Sequence, residues 1–247
     1  MTIDDIKINY NYTFVDKEHD TIVLLHGWGQ NTIMMQPIEE YFKSNFNVLN
    51  IDLPGFGKST EPKEVLNVTQ YANIVYRLIT ELGLSKTKIS IVGHSFGGRI
   101  AIVYASLYKI ERVILCSAPF LKRIKKDSFK LRTLKMLKKL PLIRRLEPFA
   151  KKRIGSTDYK NASEIMRKIL VETVNEDLTD NVKKIKCPVI LIYGQLDKDV
   201  PIEEGKQLEE LLSDGYLVTY PYGTHYAYFE DIVRTNKIIE SFMKGES

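Results

Sequence analysis

The run Ile89-Ser90-Ile91-Val92-Gly93-His94-Ser95-Phe96-Gly97-Gly98 places a serine in a Gly-x-Ser-x-Gly pattern between an apolar stretch and a helical one. A serine at a tight strand-to-helix turn has its hydroxyl pushed out above the sheet. Glycines two before and two after keep that turn free of clashes. The helix that follows offers unpaired N–H groups and the positive end of its dipole to a developing oxyanion. The chemistry such a residue can do is nucleophilic attack on an acyl carbon, and it needs a base.

Four histidines compete for that role. His19 lies in the acidic turn KEHD and reads as solvated surface. His26 opens His26-Gly27-Trp28-Gly29 after an apolar run, where its ring would brace the loop. His94 neighbours Ser95, but its side chain should diverge in so sharp a turn. His225, in Pro221-Tyr222-Gly223-Thr224-His225, follows the last strand pattern and precedes the last helical one, which brings it to the same sheet edge as Ser95. His225 is therefore the expected base. A carboxylate must hold its imidazole in one tautomer. Asp197, just past the apolar run Pro188–Tyr193, is the expected acid; Asp199 is its competitor and would more naturally cap a helix starting near Pro201.

These residues need a scaffold that brings loops distant in sequence to one edge. Thr21–Leu25, Phe46–Ile51, Lys88–Val92, Arg112–Cys116, Pro188–Tyr193 and Tyr216–Tyr220 read as strands rich in Val, Ile and Leu. Runs apolar on both faces imply a parallel sheet covered by helices on each side. Helical patterns fall at Thr32–Lys43, Val68–Leu82, Phe96–Tyr108, Ile202–Leu212 and Phe229–Lys244, with Gly83 as a stop signal. The alternation predicts a mostly parallel, doubly wound α/β sheet.

One region breaks the alternation. Residues 119–180 contain no strand pattern and are too long for an ordinary connection, so a helical insertion is expected there, dividing a core of 1–118 and 181–247. Pro119 to Gly155 carries 14 Lys and Arg against two acids, a net +12. Subtracting this from the overall +5 leaves −7 on the rest of the chain, so the basic character belongs to the insertion.

The composition excludes other classes. At 247 residues, 44% hydrophobic and 27% charged, the chain is neither disordered nor collagen-like. No uncharged run reaches the roughly 20 apolar residues of a membrane span: Ile89 to Gly98 has ten, and the longer Thr21 to Ile38 is interrupted by His26, Gln30, Asn31 and Gln36. The N-terminal stretch lacks the basic start and apolar block of a signal peptide. Two cysteines cannot form a disulfide framework; Cys116 and Cys187 read as thiols of a reducing compartment, and a cytoplasmic protein is expected. No His/Cys/Asp cluster has zinc spacing, and no glycine-rich segment fits a phosphate or dinucleotide motif, so no metal or cofactor is expected.

With HGWG at His26–Gly29, DLPGFGKS at Asp52–Ser59, GHSFGG at the serine and the chain order Ser95, Asp197, His225, the sequence resembles the α/β-hydrolase family from Thr21 to Met243. The resemblance implies a hydrolase of carboxylic esters or thioesters acting through an acyl-enzyme. It also implies an oxyanion hole from the backbone N–H groups of Trp28 and Phe96, and a lid at Pro119–Asp180 inserted after the sixth strand. An aspartate at the nucleophile position would mark an epoxide hydrolase or dehalogenase, and here the residue is serine.

The partner expected is a small ester. The basic insertion also resembles that of the esterases acting on pimeloyl methyl ester bound to acyl-carrier protein, whose lid arginines grip the acidic carrier; Arg123, Arg132, Arg144, Arg145 and Arg153 lie in the corresponding region. The sequence departs from those esterases in having GHS where they have GWS. A third reading, from another class, sets the basic helices on an anionic membrane or nucleic acid. A complete Ser-Asp-His set would be idle in a pure binder, so no nucleic-acid partner is expected.

Overall fold

Every residue of Thr21–Leu25, Asn47–Ile51, Ile89–His94 and Val189–Gly194 is buried, the signature of parallel strands covered on both faces. The computed structural model describes residues 1–122 and 162–245. A small antiparallel pair, β1 (Thr2–Ile3) and β2 (Ile6–Lys7), precedes seven further strands: β3 (Tyr10–Thr13), β4 (Thr21–Leu25), β5 (Asn47–Ile51), β6 (Ile89–His94), β7 (Arg112–Cys116), β8 (Val189–Gly194) and β9 (Gly215–Tyr220). They form one sheet in the order β3-β5-β4-β6-β7-β8-β9. Only the β3–β5 pairing is antiparallel.

Among the described residues the helices are α1 (Gln36–Phe42), α2 (Val68–Glu81), α3 (Phe96–Leu107), α4 (Glu164–Asn175), α5 (Thr179–Val182), α6 (Ile202–Leu211), α7 (Ala227–Glu230) and α8 (Ile232–Lys244). Two cores result from the pleat. Ile22 and Leu24 face α1, α7 and α8 through Ile38, Phe42, Tyr228 and Ile239. Val23 and Leu25 face the other way, toward Leu78 of α2, Ile100 of α3, Met166 and Ile169 of α4, and Leu208 of α6. The fold is an α/β-hydrolase fold with a mostly parallel sheet.

The strand patterns rich in Val, Ile and Leu lie where strands form, to within one or two residues. The N-terminal strands escape the pattern because Tyr10–Thr13 is polar and partly exposed and gains its place by pairing with β5. Thr32–Lys43 is not one helix: Asn31 caps a 3₁₀ turn over Thr32–Met34, and α1 then starts afresh with Pro37 in its first turn. The last helical pattern is likewise broken at Asp231, whose side chain accepts the Arg234 N–H and starts α8.

The expected insertion begins after β7, the fifth strand of the seven-stranded sheet in chain order and the seventh of all the described strands; its residues 123–161 lie outside the described residues. The returning end is well anchored. Arg99, 2% exposed, donates to the carbonyl of Pro119 at 3.0 Å and to that of Glu176 at 2.6 Å. The Leu178 N–H donates to the Phe120 carbonyl at 2.9 Å. Glu204 accepts the N–H groups of Phe120 and Leu121 at 2.8 and 3.1 Å. Among the described residues, no helix is long and apolar enough to cross a membrane.

Candidate functional site

Parallel strands that run the same way deliver their carboxyl ends to one edge, and three loops from β6, β8 and β9 meet there. Ser95 sits between β6 and α3 with φ 50° and ψ −109°, in the left-handed region that side chains avoid. The turn is held by the Ser95 N–H donating to the Cys116 carbonyl at 2.9 Å. Its glycines are required by contact: a Cβ on Gly93 would lie 2.6 Å from the Gly97 carbonyl oxygen, and one on Gly97 would be driven into the carbonyl oxygens of Leu25 and His26.

The imidazole of His225 stands between Ser95 and Asp197. Its Nε2 is 3.0 Å from Ser95 Oγ and its Nδ1 is 2.8 Å from Asp197 Oδ2. The Asp197 side chain is fully buried and that of His225 is 14% exposed. Asp197 Oδ1 accepts the N–H groups of Asp199 and Val200 at 2.8 and 2.9 Å. Burial alone would raise the Asp197 pKa, but the hydrogen bonds from His225, Val200 and Asp199 outweigh it and hold the carboxyl below its ordinary value. With both ring nitrogens engaged, Nδ1 donates to the carboxylate and Nε2 is left to accept from the serine hydroxyl.

The remaining candidates separate cleanly. Asp199 contacts Asp197 through its backbone N–H and does not cap α6, which begins behind Pro201 with no side-chain cap. His26 is buried and braces its loop, accepting the Leu53 N–H at Nε2 (3.0 Å) while its Nδ1 meets the Gly27 carbonyl at 2.7 Å; burial pushes its pKa down to about 4. His19 pairs with Asp16 near the surface. Asp52, inside DLPGFGKS, accepts from Asn9, Thr32 and Lys58 at 2.8, 2.7 and 2.8 Å, a structural knot beside the His26 loop. The ligand atoms of Asp197, Asp199 and His225 lie within 4.8 Å of one another, but His225 Nδ1 and Asp197 Oδ2 already satisfy each other.

Trp28 and Phe96 come together over Ser95's turn, their rings edge to face at 5.2 Å, with Phe56 at 4.8 Å from Trp28. Among the described residues, neither backbone N–H has a protein acceptor. Arg123, Arg132, Arg144, Arg145 and Arg153 lie outside the described residues. The sequence pattern gave no warning of what His94 does: its ring reaches Gln30 and the His225 carbonyl, residues distant in sequence.

Comparison with known proteins agrees with this architecture. A mouse monoacylglycerol lipase is 23% identical over 97% of this chain and 80% of its own. The pimeloyl-[acyl-carrier protein] methyl ester esterase of Aliivibrio fischeri is 25% identical over 87% of this chain and 90% of its own. The crystal structure of an enol-lactonase from Burkholderia xenovorans superposes with a TM-score of 0.78 at 20% identity, covering 98% of both chains. A family model described as serine aminopeptidase, S33, matches residues 16–232, and the chain belongs to that family of α/β-hydrolases.

Proposed function

We propose that the protein hydrolyses carboxylic esters or thioesters with Ser95 as nucleophile, His225 as general base and Asp197 as the acid that orients it. Ser95 Oγ attacks the acyl carbon as its proton passes to His225 Nε2, and Asp197 stabilises the imidazolium. The N–H groups of Trp28 and Phe96 receive the oxyanion. Collapse expels the alcohol or thiol, which takes the proton from His225. A water deprotonated by His225 then attacks the acyl-enzyme, releasing the acid and restoring the serine. Residues 119–180 are the lid in this reading, with 1–118 and 181–247 as the catalytic core. Two unpaired thiols, Cys116 and Cys187, support a cytoplasmic setting.

The observation that carries this reading is the line of contacts from Asp197 through His225 to Ser95, 2.8 and 3.0 Å long, ending on a strained serine. The experiment is p-nitrophenyl ester turnover, from acetate to palmitate, with fluorophosphonate labelling. Ser95→Ala should lose on the order of 10⁶ in rate and all labelling while remaining folded. Turnover within tenfold of wild type, with contaminating esterase excluded, overturns it.

The net +12 on residues 119–155 favours one narrower reading, an acyl ester carried by an acidic carrier protein. Monoacylglycerol lipase and the pimeloyl methyl ester esterase among the relatives both act on acyl esters, and only the second names a carrier. A cationic surface raises encounter rates with an acidic partner, and salt suppresses the effect. Reversing Arg144 and Arg145 to Glu should leave p-nitrophenyl butyrate turnover within about threefold and lower kcat/KM for a carrier-bound ester at least about tenfold at low salt. Equal effects on both substrates would count against the carrier.

A further inference from the structure

His94 ends β6, immediately before Ser95, and its ring is buried, 1% exposed, between two loops. Nε2 lies 3.0 Å from the backbone carbonyl oxygen of His225. Nδ1 lies 3.2 Å from Gln30 Oε1, and that oxygen also accepts the Gly27 N–H at 2.9 Å. Gly27 precedes Trp28, whose N–H is a proposed oxyanion donor. Tyr228 and Tyr226 pack on the ring at centroid distances of 4.7 and 5.4 Å. A Cβ on Gly27 would sit 2.8 Å from Nδ1, so only glycine leaves the ring room to approach this loop.

We propose that His94 is a positioning residue: its ring ties the loop carrying the base and the loop carrying the oxyanion donor to the turn that carries the nucleophile. The inference rests on the function proposed above. His225 is then anchored twice, its ring by Asp197 and its backbone by the residue next to Ser95. The separation between His225 Nε2 and Ser95 Oγ is thereby set through a path of packed atoms rather than by the free conformation of residues 221–226. Gln30 carries the same constraint onward to Gly27.

The proton count sharpens the assignment. Both ring nitrogens face oxygens that can only accept, and Gln30 Oε1 is fixed in that role by the Gly27 N–H. A neutral imidazole has one N–H to give. Burial, with the neighbouring His225 adding to it, pushes the His94 pKa down to about 3, so the ring is neutral at working pH. The proton on Nε2 serves the shorter contact, to the His225 carbonyl, and the Gln30 side is held by packing and by Gly27.

An acyl transfer site tolerates little displacement; an error of about 1 Å can cost about 100-fold. His94→Phe keeps the aromatic volume and removes both nitrogens. It should lower kcat for p-nitrophenyl butyrate about 10- to 100-fold with KM within about threefold, and slow fluorophosphonate labelling by the same factor. His94→Gln can donate to the same carbonyl and should recover at least part of that loss. Gln30→Met removes the acceptor of the Gly27 N–H and leaves the His94–His225 bond in place, so it should cost several-fold in either background. The proposal is overturned if His94→Phe keeps kcat within threefold, if the loss falls on KM, or if Gln30→Met leaves kcat unchanged. Should circular dichroism find His94→Phe unfolded, His94→Leu, which likewise removes both nitrogens, takes its place, and kcat within threefold of wild type overturns the proposal. None of these outcomes touches the nucleophile assignment, which Ser95→Ala tests separately.

Discussion

Asp197→Asn is the substitution whose outcome the geometry constrains most. Asp197 uses one oxygen for two backbone donors, at 2.8 and 2.9 Å, and the other for His225 Nδ1. Asparagine has a single oxygen, and the two N–H groups of Asp199 and Val200 claim it, since turning the amide around would set NH₂ against both. The NH₂ must then face His225 Nδ1. A donor there stabilises the tautomer with its proton on Nε2, pointing at Ser95 Oγ, where the base should have a lone pair. The side chain stays the same size and keeps its backbone bonds, so the protein should fold. Trapping an imidazole in the wrong tautomer costs about 10⁴ in kcat, equivalent to about 5 kcal/mol of barrier. The assay is p-nitrophenyl butyrate hydrolysis at neutral pH, with thermal melting as the folding control. Asp199→Asn, at a residue that reaches Asp197 only through its backbone N–H, is the paired control and should stay within about threefold. A folded Asp197→Asn enzyme within tenfold of wild type, or a larger loss from Asp199→Asn, would refute the assignment.

Three further expectations concern stability and reactivity. Gly97→Ala drives a methyl into the carbonyls of Leu25 and His26 and should cost at least about 2 kcal/mol in urea unfolding; a loss under 0.5 would mean the turn is looser than described. Because the folded Asp197 pKa lies below its ordinary 3.8, its stabilisation is present above that value and lost as pH falls through the lower folded one, so Asp197→Asn should show a shallower acid loss of stability than wild type; parallel curves would count against it. At pH 8 a thiol reagent should label Cys187 slowly, its pKa pushed by partial burial to about 11, and buried Cys116 only on unfolding; fast labelling of Cys116 in the folded protein would contradict its packing.

Most of the scaffold is written in local pattern. Thr21–Leu25 and Arg112–Cys116 are strands over the residues their composition marks, because buried parallel strands select Val, Ile and Leu at every position. The meeting of Ser95, Asp197 and His225 is legible for a related reason: each lies in the loop that follows a strand, and parallel strands end on one edge. What remained hidden depends on contacts far apart in sequence. Tyr10–Thr13 becomes a strand by pairing with β5, and polar composition does not announce that. Asp231 falls inside the first turn of the single helical pattern Phe229–Lys244, whereas its carboxylate breaks that pattern by capping α8. The expectation that the His94 side chain turns away from the serine is compatible with its contacts, but the contacts themselves, with Gln30 and His225, span 64 and 131 residues and leave no periodic trace.

The junction at Arg99 has an evolutionary corollary. Pro119 and Glu176, 57 residues apart, are both bonded to one guanidinium, and Phe120 and Leu178 are bonded to each other. The chain between them is therefore a loop whose closure is already guaranteed by the core. For such a loop, doubling the length adds only about 0.6 kcal/mol of closure entropy. Insertions or deletions ahead of α4, whose Met166 and Ile169 are core residues, should leave the catalytic edge thermodynamically undisturbed. Selection can then lengthen or replace that stretch without renegotiating the packing of the sheet.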